Sequence, residues 1–147
     1  MKYFKLLIVL VLLSASLLLT ACAPAEAPEQ EIKPITLEPI TGSDLNRLTL
    51  TEKAAERLGL ETAPVVAEQV DGLDQLVIPY AALLYDPSGQ AWVYVNEGPM
   101  VFVRQAITVD SIDGDKVILS EGPEVGTSVV TLGATELFGS EEEFEEE

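Results

Sequence analysis

Apolar and polar residues alternate in short segments along the chain from residue 46 onward, and turn-forming residues separate these segments. Alternation with a period of two is typical of β-strands that are buried on one face. The pattern predicts strands at Leu48–Leu50, Thr62–Val70, Ala91–Asn96, Met100–Val109, Val117–Leu119 and Ser128–Leu132. Strands that recur about every 8–12 residues favour a small, mainly β fold, either a barrel or a sandwich.

One short helix is predicted between the first two strands. Thr51 is a suitable N-cap for a helix over Glu52–Leu58, and Glu52 lies where the helix dipole favours a negative charge. Gly59 follows at the position where a left-handed residue commonly ends a helix. We therefore expect a mainly β domain that contains one short helix.

The aromatic residues and one arginine of the predicted strands are candidates for a partner-binding surface. They are Trp92 and Tyr94 on one face of the strand Ala91–Asn96, and Phe102 and Arg104 in the strand that follows. Core packing is the favoured interpretation for the three aromatic residues, with a ligand or partner surface as the alternative. For Arg104, in an acidic domain, we expect an ion pair with a nearby carboxylate, and a partner contact is the alternative.

The predicted turns carry acidic residues but no metal-binding motif. Asp86-Pro87-Ser88-Gly89 has the residue order of a type I turn, and Asp113-Gly114-Asp115 favours a hairpin. Counted from Asp110, the third and fifth positions are Ile112 and Gly114, whereas a calcium-binding EF-hand loop needs oxygen ligands there. We therefore expect a solvated hairpin tip and no metal site.

The start of the chain has the layout of a secretory signal. Lys2 and Lys5 precede the apolar stretch Leu6–Leu19, which is short for a spanning helix. The sequence Leu19-Thr20-Ala21-Cys22 then resembles the lipobox of bacterial lipoproteins, in which the cysteine is lipidated and the preceding segment, here residues 1–21, is removed. The alternatives are a plain secretory signal that is cut after Ala21 or Ala23, or an uncleaved anchor.

Two acidic segments flank the predicted domain. Residues 22–46 contain four prolines and four glutamates after Cys22, a composition that favours a flexible, extended tether. At the other end, six of the seven residues 141–147 are glutamate. A charge run of this kind is usually a disordered, solvated tail, so we expect residues 139–147 to be disordered.

Composition excludes several functions. Across its 147 residues the chain has 8 Lys and Arg against 25 Asp and Glu, a net charge of −17, no His and one Cys. The absence of His removes histidine base catalysis and imidazole metal ligands, and a single Cys cannot form an internal disulfide or a thiolate metal site. The negative charge repels phosphate, so nucleic acid is not an expected partner. We expect no enzyme activity and no cofactor.

The order of several segments resembles the C-terminal region of periplasmic adaptor proteins, or membrane-fusion proteins, of RND-type efflux pumps. These segments are Val77–Asp86, Gly89–Val95, Phe102–Val109, Gly114–Val117, Gly122–Val130 and Gly133–Leu137. Arg47–Val66, with its Leu58-Gly59-Leu60-Glu61-Thr62-Ala63-Pro64-Val65 run, is similar to the segment with which many adaptors begin. The resemblance implies a membrane-proximal domain, a small β-barrel with a permuted SH3-like order of strands.

The resemblance also implies what this chain lacks. A full adaptor carries a lipoyl-like domain and a long helical hairpin between the two matching regions, and here only Val66–Leu76 joins them. The expected organisation is a signal at 1–21, a tether at 22–46, an adaptor-like helix and strand at 47–72, a barrel at 73–138 and a tail at 139–147.

The function implied is a non-catalytic adaptor-like or accessory component of an efflux system. It would be anchored through Cys22 on the periplasmic face of a bacterial membrane and would contact the extracytoplasmic part of an RND-type transporter. The alternative is a stand-alone envelope lipoprotein that binds a cation or small ligand, or that has a purely structural role.

Overall fold

The computed structural model describes residues 33–145. The predicted signal, Cys22 and the first part of the predicted tether lie outside these residues. The strands are β1 (Ile35–Pro39), β2 (Asn46–Leu50), β3 (Glu61–Pro64), β4 (Val66–Val70), β5 (Leu73–Pro79), β6 (Leu84–Tyr85), β7 (Ala91–Gly98), β8 (Val101–Ala106), β9 (Thr108–Asp113), β10 (Lys116–Glu121) and β11 (Ser128–Leu132). The helices are α1 (Glu52–Leu58), a 3₁₀ turn (Tyr80–Ala82) and α2 (Ala134–Glu145).

The predicted mainly β fold is confirmed, and within residues 33–145 the strands form two sheets and no closed barrel. The large sheet has the order β1-β2-β8-β7-β11-β3, with β6 pairing with the first part of β7. The small sheet has the order β4-β5-β10-β9. All the pairings are antiparallel. None of the described helices is long and apolar enough to span a bilayer.

Two strands that the sequence pattern predicts as continuous are each broken by one buried residue. Val65 separates β3 from β4, and its backbone N–H and C=O bond to Thr127 O and Gly126 N, both at 2.8 Å. Ile107 separates β8 from β9, and its N–H bonds to Ala91 O at 3.0 Å. At both residues the chain passes from the large sheet to the small one. The prediction of single strands was wrong because alternation does not show where a strand changes sheet.

The large sheet is covered on both faces. Val93 and Val129 project from one face into a core shared with the small sheet, which contains Ile78, Val117 and Leu119. On the other face, side chains of the large sheet pack against both helices, and the buried residues there are Ile35, Leu48, Leu50, Ala54, Ala55, Tyr94, Phe102, Val130, Ala134 and Leu137. Val93 and Tyr94 thus enter different cores, as the alternation along β7 predicts.

Helix α1 begins and ends as the sequence predicts. The Thr51 side chain accepts a hydrogen bond from Ala54 N at 3.2 Å, and Gly59 adopts a left-handed φ of 62°. Ala54 and Ala55 are the buried residues of the helix, so its polar residues face outward. The seven-residue helix is thus defined by its caps and held by a small apolar face.

The C-terminal segment is helical through Glu145, so the prediction of a disordered tail over 139–147 was wrong for its described part. Ala134, Leu137, Phe138 and Glu141 recur at helical spacing. Ala134 and Leu137 are buried in the core on the helix-covered face of the large sheet. Packing of this stripe stabilises a helix that glutamate repulsion alone would disfavour.

The tether expected over 22–46 also ends earlier than predicted. Ile35–Pro39 forms β1 and pairs with β2 from Ile35 opposite Leu50 to Pro39 opposite Asn46. Ile35 is buried, so this edge strand belongs to the core. The expected segments 47–72 and 73–138 share the large sheet, because β3 pairs with β11.

We predict that Gly133→Ala destabilises the fold more than Gly126→Ala. Both glycines have positive φ, 82° and 90°, so each alanine incurs about 1–2 kcal/mol of left-handed strain. A methyl group on Gly133 would also overlap Leu60 Cδ2 and lie 3.0 Å from Leu58 O, whereas nothing lies within 4 Å at Gly126. Overlap of this kind adds about 1–3 kcal/mol. Urea unfolding of both variants measures the difference, and equal losses would contradict the packing seen at Gly133.

Candidate functional site

The four candidate residues come together on the helix-covered face of β7 and β8. Tyr94 lies directly opposite Arg104 in the register of the two strands, and Phe102 lies opposite Asn96. Tyr94 is fully buried, and Phe102 and Arg104 are 3% and 8% exposed. Core packing is therefore confirmed for Tyr94 and Phe102, whereas Trp92 is half-buried.

Arg104 is paired with carboxylates, as the sequence predicts, and both belong to helix α2. Its Nε lies 3.5 Å from Glu141 Oε2, and its Nη1 lies 3.8 Å from Glu142 Oε1. Tyr94 donates a hydrogen bond to the same Oε2 atom of Glu141 at 2.5 Å. Glu141 is completely buried. We call Tyr94, Arg104 and Glu141 the buried polar cluster.

Two aromatic rings cover the guanidinium group of the buried polar cluster. Arg104 Cζ lies 4.8 Å from the centre of the Trp92 ring and 5.1 Å from that of Phe138. A cation held over aromatic faces gains about 0.5–2 kcal/mol, the more so where water is excluded. The rings thus favour burial of a charge that would otherwise need full hydration.

The buried polar cluster attaches α2 to the large sheet. Burial, and then the hydrogen bond to Glu141, raise the pKa of Tyr94 far above its ordinary value. The hydroxyl therefore stays protonated and remains a donor to Glu141 at all ordinary pH values. Because the three polar groups face one another away from solvent, the cluster acts as a structural tie between α2, β7 and β8.

A second polar contact fixes the indole ring of Trp92. Trp92 Nε1 donates to Asp86 Oδ2 at 3.0 Å. The other oxygen, Oδ1, accepts from Ser88 N, Ser88 Oγ and Gln90 N at 2.6–2.9 Å. The Ser88 hydroxyl chiefly, with Trp92 and the backbone donors, lowers the pKa of Asp86 to about 2. The bond from Gly89 N to Asp86 O confirms a β-turn at the predicted residues.

A concave surface opens between α1 and the β7–β8 hairpin, with a volume of about 720 Å³. We call it the α1 groove. The residues that line it are Glu52, Ala55, Glu56, Gly59, Leu60, Thr62, Asn96, Gly98, Pro99, Met100 and Phe102. Of the four candidate residues, Phe102 borders this groove.

The wall of the α1 groove contains an unusual backbone conformation. Met100 has a φ of 59°, in the region that favours Gly or Asn, and its carbonyl accepts a hydrogen bond from Leu50 N at 2.9 Å. Proline followed by a residue of positive φ is the pattern of a type II turn. A methionine at this position costs about 1–2 kcal/mol. Strain of this kind is found preferentially at functional sites.

Sequence reasoning missed two residues of these sites. Glu141 was placed in the disordered tail, although its spacing from Leu137 and Ala134 is helical and was the available signal. Met100 carried no signal, because its conformation depends on the hydrogen bond to β2. Among residues 33–145, no three Asp, Glu, Cys or His side chains come together in a group that could hold a metal ion. The predicted lipid-attachment residue, Cys22, lies outside that range.

We predict that Glu141→Ala lowers the free energy of unfolding by about 3–5 kcal/mol, because it leaves Arg104 buried without its main partner. Glu143→Ala is the matched control, since Glu143 is an exposed glutamate on the same helix. That variant should change stability by less than about 0.5 kcal/mol. Chemical denaturation followed by circular dichroism measures both. Similar losses in the two variants would contradict a specific role for Glu141.

We predict an acid-dependent loss of stability that depends on Asp86. Its pKa falls from 3.8 to about 2 on folding, so its contribution is fully present above about pH 4 and is lost as the pH falls through about 2. Asp86→Asn should remove this part of the pH dependence, and Asp44→Asn, at another exposed aspartate, should retain it. Unfolding followed by fluorescence of Trp92, the only tryptophan, measures the effect. An unchanged pH profile in Asp86→Asn would show that other carboxylates account for it.

No family model, curated protein or solved structure matches this chain. The resemblance to periplasmic adaptors therefore stays a prediction from the ordered segments of the sequence.

Proposed function

We propose that this protein is a non-catalytic, adaptor-like or accessory component of an RND-type efflux system. In this proposal a lipid on Cys22 anchors the chain on the extracytoplasmic face of a membrane. The domain formed by residues 33–145 then contacts the extracytoplasmic part of the transporter. The observation that carries the proposal is the ordered set of adaptor-like segments that follows a lipobox.

The pairing of β3 with β11 supports this proposal. The two segments lie far apart in the sequence and correspond to the first and last regions of the adaptor-like pattern. They meet in the large sheet, where Thr62 lies opposite Val130 and Pro64 opposite Ser128. The resemblance implies that the two ends of an adaptor lie together in its membrane-proximal domain, and this chain has the same juxtaposition.

The connection between β4 and β5 is consistent with an adaptor that lacks its central domains. Val70 pairs with Leu73, and the two residues between them have φ values of 51° at Asp71 and 82° at Gly72. Two successive residues with positive φ are characteristic of a type I′ hairpin, which joins twisted antiparallel strands tightly. A compact turn thus closes the chain where a full adaptor would continue into its lipoyl-like domain and hairpin.

Photo-cross-linking in intact cells tests the proposal. A photoreactive amino acid replaces Tyr85 or Leu132, which are 55% and 52% exposed, so the fold is not disturbed. After irradiation, the protein is purified from membranes and its adducts are identified by mass spectrometry. We expect a subunit of an RND-type transporter among them.

Cys22→Ser is the matched control, because it removes the lipid-attachment residue and leaves the folded residues 33–145 unchanged. This variant should lose metabolic labelling with an alkyne fatty acid, leave the membrane fraction and lose the transporter adduct. Adducts without any transporter subunit would contradict the proposed function. A Cys22→Ser protein that remains lipid-labelled would contradict the anchor.

A further inference from the structure

The acidic residues of helix α1 line the α1 groove, whereas its basic residues do not. Glu52 and Glu56, one turn apart, both line the groove and are exposed. Residues four apart on a helix lie on the same face, so the two carboxylates form one rim. Lys53 and Arg57 follow them in sequence but do not line the groove. This side of the groove is therefore acidic although the helix as a whole is close to neutral.

Apart from its acidic rim, the lining of the α1 groove is mainly apolar. Leu60, Met100 and Phe102 lie inside the acidic rim. A methionine side chain is flexible and polarisable, so it adapts to the shape of an inserted group. The volume of about 720 Å³ falls within the usual range for binding sites. An apolar interior with an acidic rim complements an apolar side chain that is flanked by lysine or arginine.

The acidic segments of this chain are unsuitable occupants of the groove. Residues 23–32 contain Glu26, Glu29 and Glu31 and no basic residue, and the segment 141–147 is almost entirely glutamate. Both would place negative charge against Glu52 and Glu56. The basic residues Lys2 and Lys5 belong to the predicted signal, which a mature lipoprotein does not retain. Charge complementarity therefore favours a segment of another protein.

We infer that the α1 groove binds a short partner segment with a central apolar side chain and basic flanks. The apolar group packs against Met100, and its basic neighbours pair with Glu52 and Glu56. The inference rests on the proposed function only in taking the partner to be the extracytoplasmic part of a transporter. The groove, its acidic rim and its strained methionine do not depend on that identity.

Peptide binding to the full chain in phosphatidylcholine nanodiscs tests the inference. The probe is a fluorescent peptide with leucines at its centre and lysines on both flanks, and fluorescence polarisation gives its Kd. Zwitterionic lipid avoids attraction between the peptide and the bilayer. We expect binding that weakens with salt, and much weaker binding when serine replaces leucine or glutamate replaces lysine in the peptide.

Two variants locate the site. Glu52→Gln with Glu56→Gln should raise the Kd about tenfold, in line with the loss of two exposed ion pairs. Glu124→Gln with Glu143→Gln is the matched control, because it removes the same charge at exposed positions that do not line the groove. Met100→Asn should also weaken binding several-fold, since asparagine tolerates the left-handed backbone but lacks the thioether. Its thermal unfolding is measured in parallel to show that the fold is retained.

The outcomes separate the inference from the proposed function. Equal weakening by the two double variants would show attraction to the overall charge and would overturn the inference. An absence of peptide binding would overturn it as well. If the transporter adducts persist in the Glu52→Gln, Glu56→Gln protein, the groove is not the contact surface while the proposed function stands. If the peptide binds in the groove but no transporter adduct forms, the inference about the groove is supported and the proposed function is contradicted.

Discussion

The fold depends on two buried corners, Val65 and Ile107, at each of which a single residue takes the chain from the large sheet to the small one. Each residue is buried between the sheets. Val65 N–H bonds Thr127 O, next to β11, and Ile107 N–H bonds Ala91 O in β7. Because of these corners, β3 and β8 lie in the large sheet while β4 and β9 lie in the small one. The two sheets therefore face each other across a shared core, and an apolar face on each is removed from water.

The other face of the large sheet is also apolar, and the two helices cover it. Alternation along β7 and β8 places Tyr94, Phe102 and Arg104 opposite the core that Val93 enters. A cation so nearly buried is costly unless a carboxylate and further contacts compensate it. Glu141 supplies that carboxylate from α2, and Trp92 and Phe138 cover the guanidinium. A segment of high negative charge thereby becomes part of the folded domain.

The packing of α2 on the large sheet also decides which side chains are buried and which surface is left for binding. Most of the aromatic residues that the sequence suggests as partner contacts pack against α2. They therefore do not form an exposed binding surface. The concave surface lies instead between α1 and the β7–β8 hairpin, where the turn that carries Met100 is held by a hydrogen bond to β2. Binding in that groove would use residues whose positions are already fixed by the core, which reduces the entropy lost on association.

The sequence by itself determined the elements that depend on interactions between neighbouring residues. Thr51 and Gly59 bound α1, Asp86 and Gly89 form their turn, and the alternation on β7 assigns its faces, because each depends on neighbours within a few residues. The sequence also specified that Arg104 needs a carboxylate. Only the tertiary structure decided that Glu141 provides it, that β1 is a strand rather than part of a tether, and that two predicted strands are broken at Val65 and Ile107. These features depend on which segments pack together over long separations, and the free energy of that packing outweighs local charge repulsion and local strand propensity.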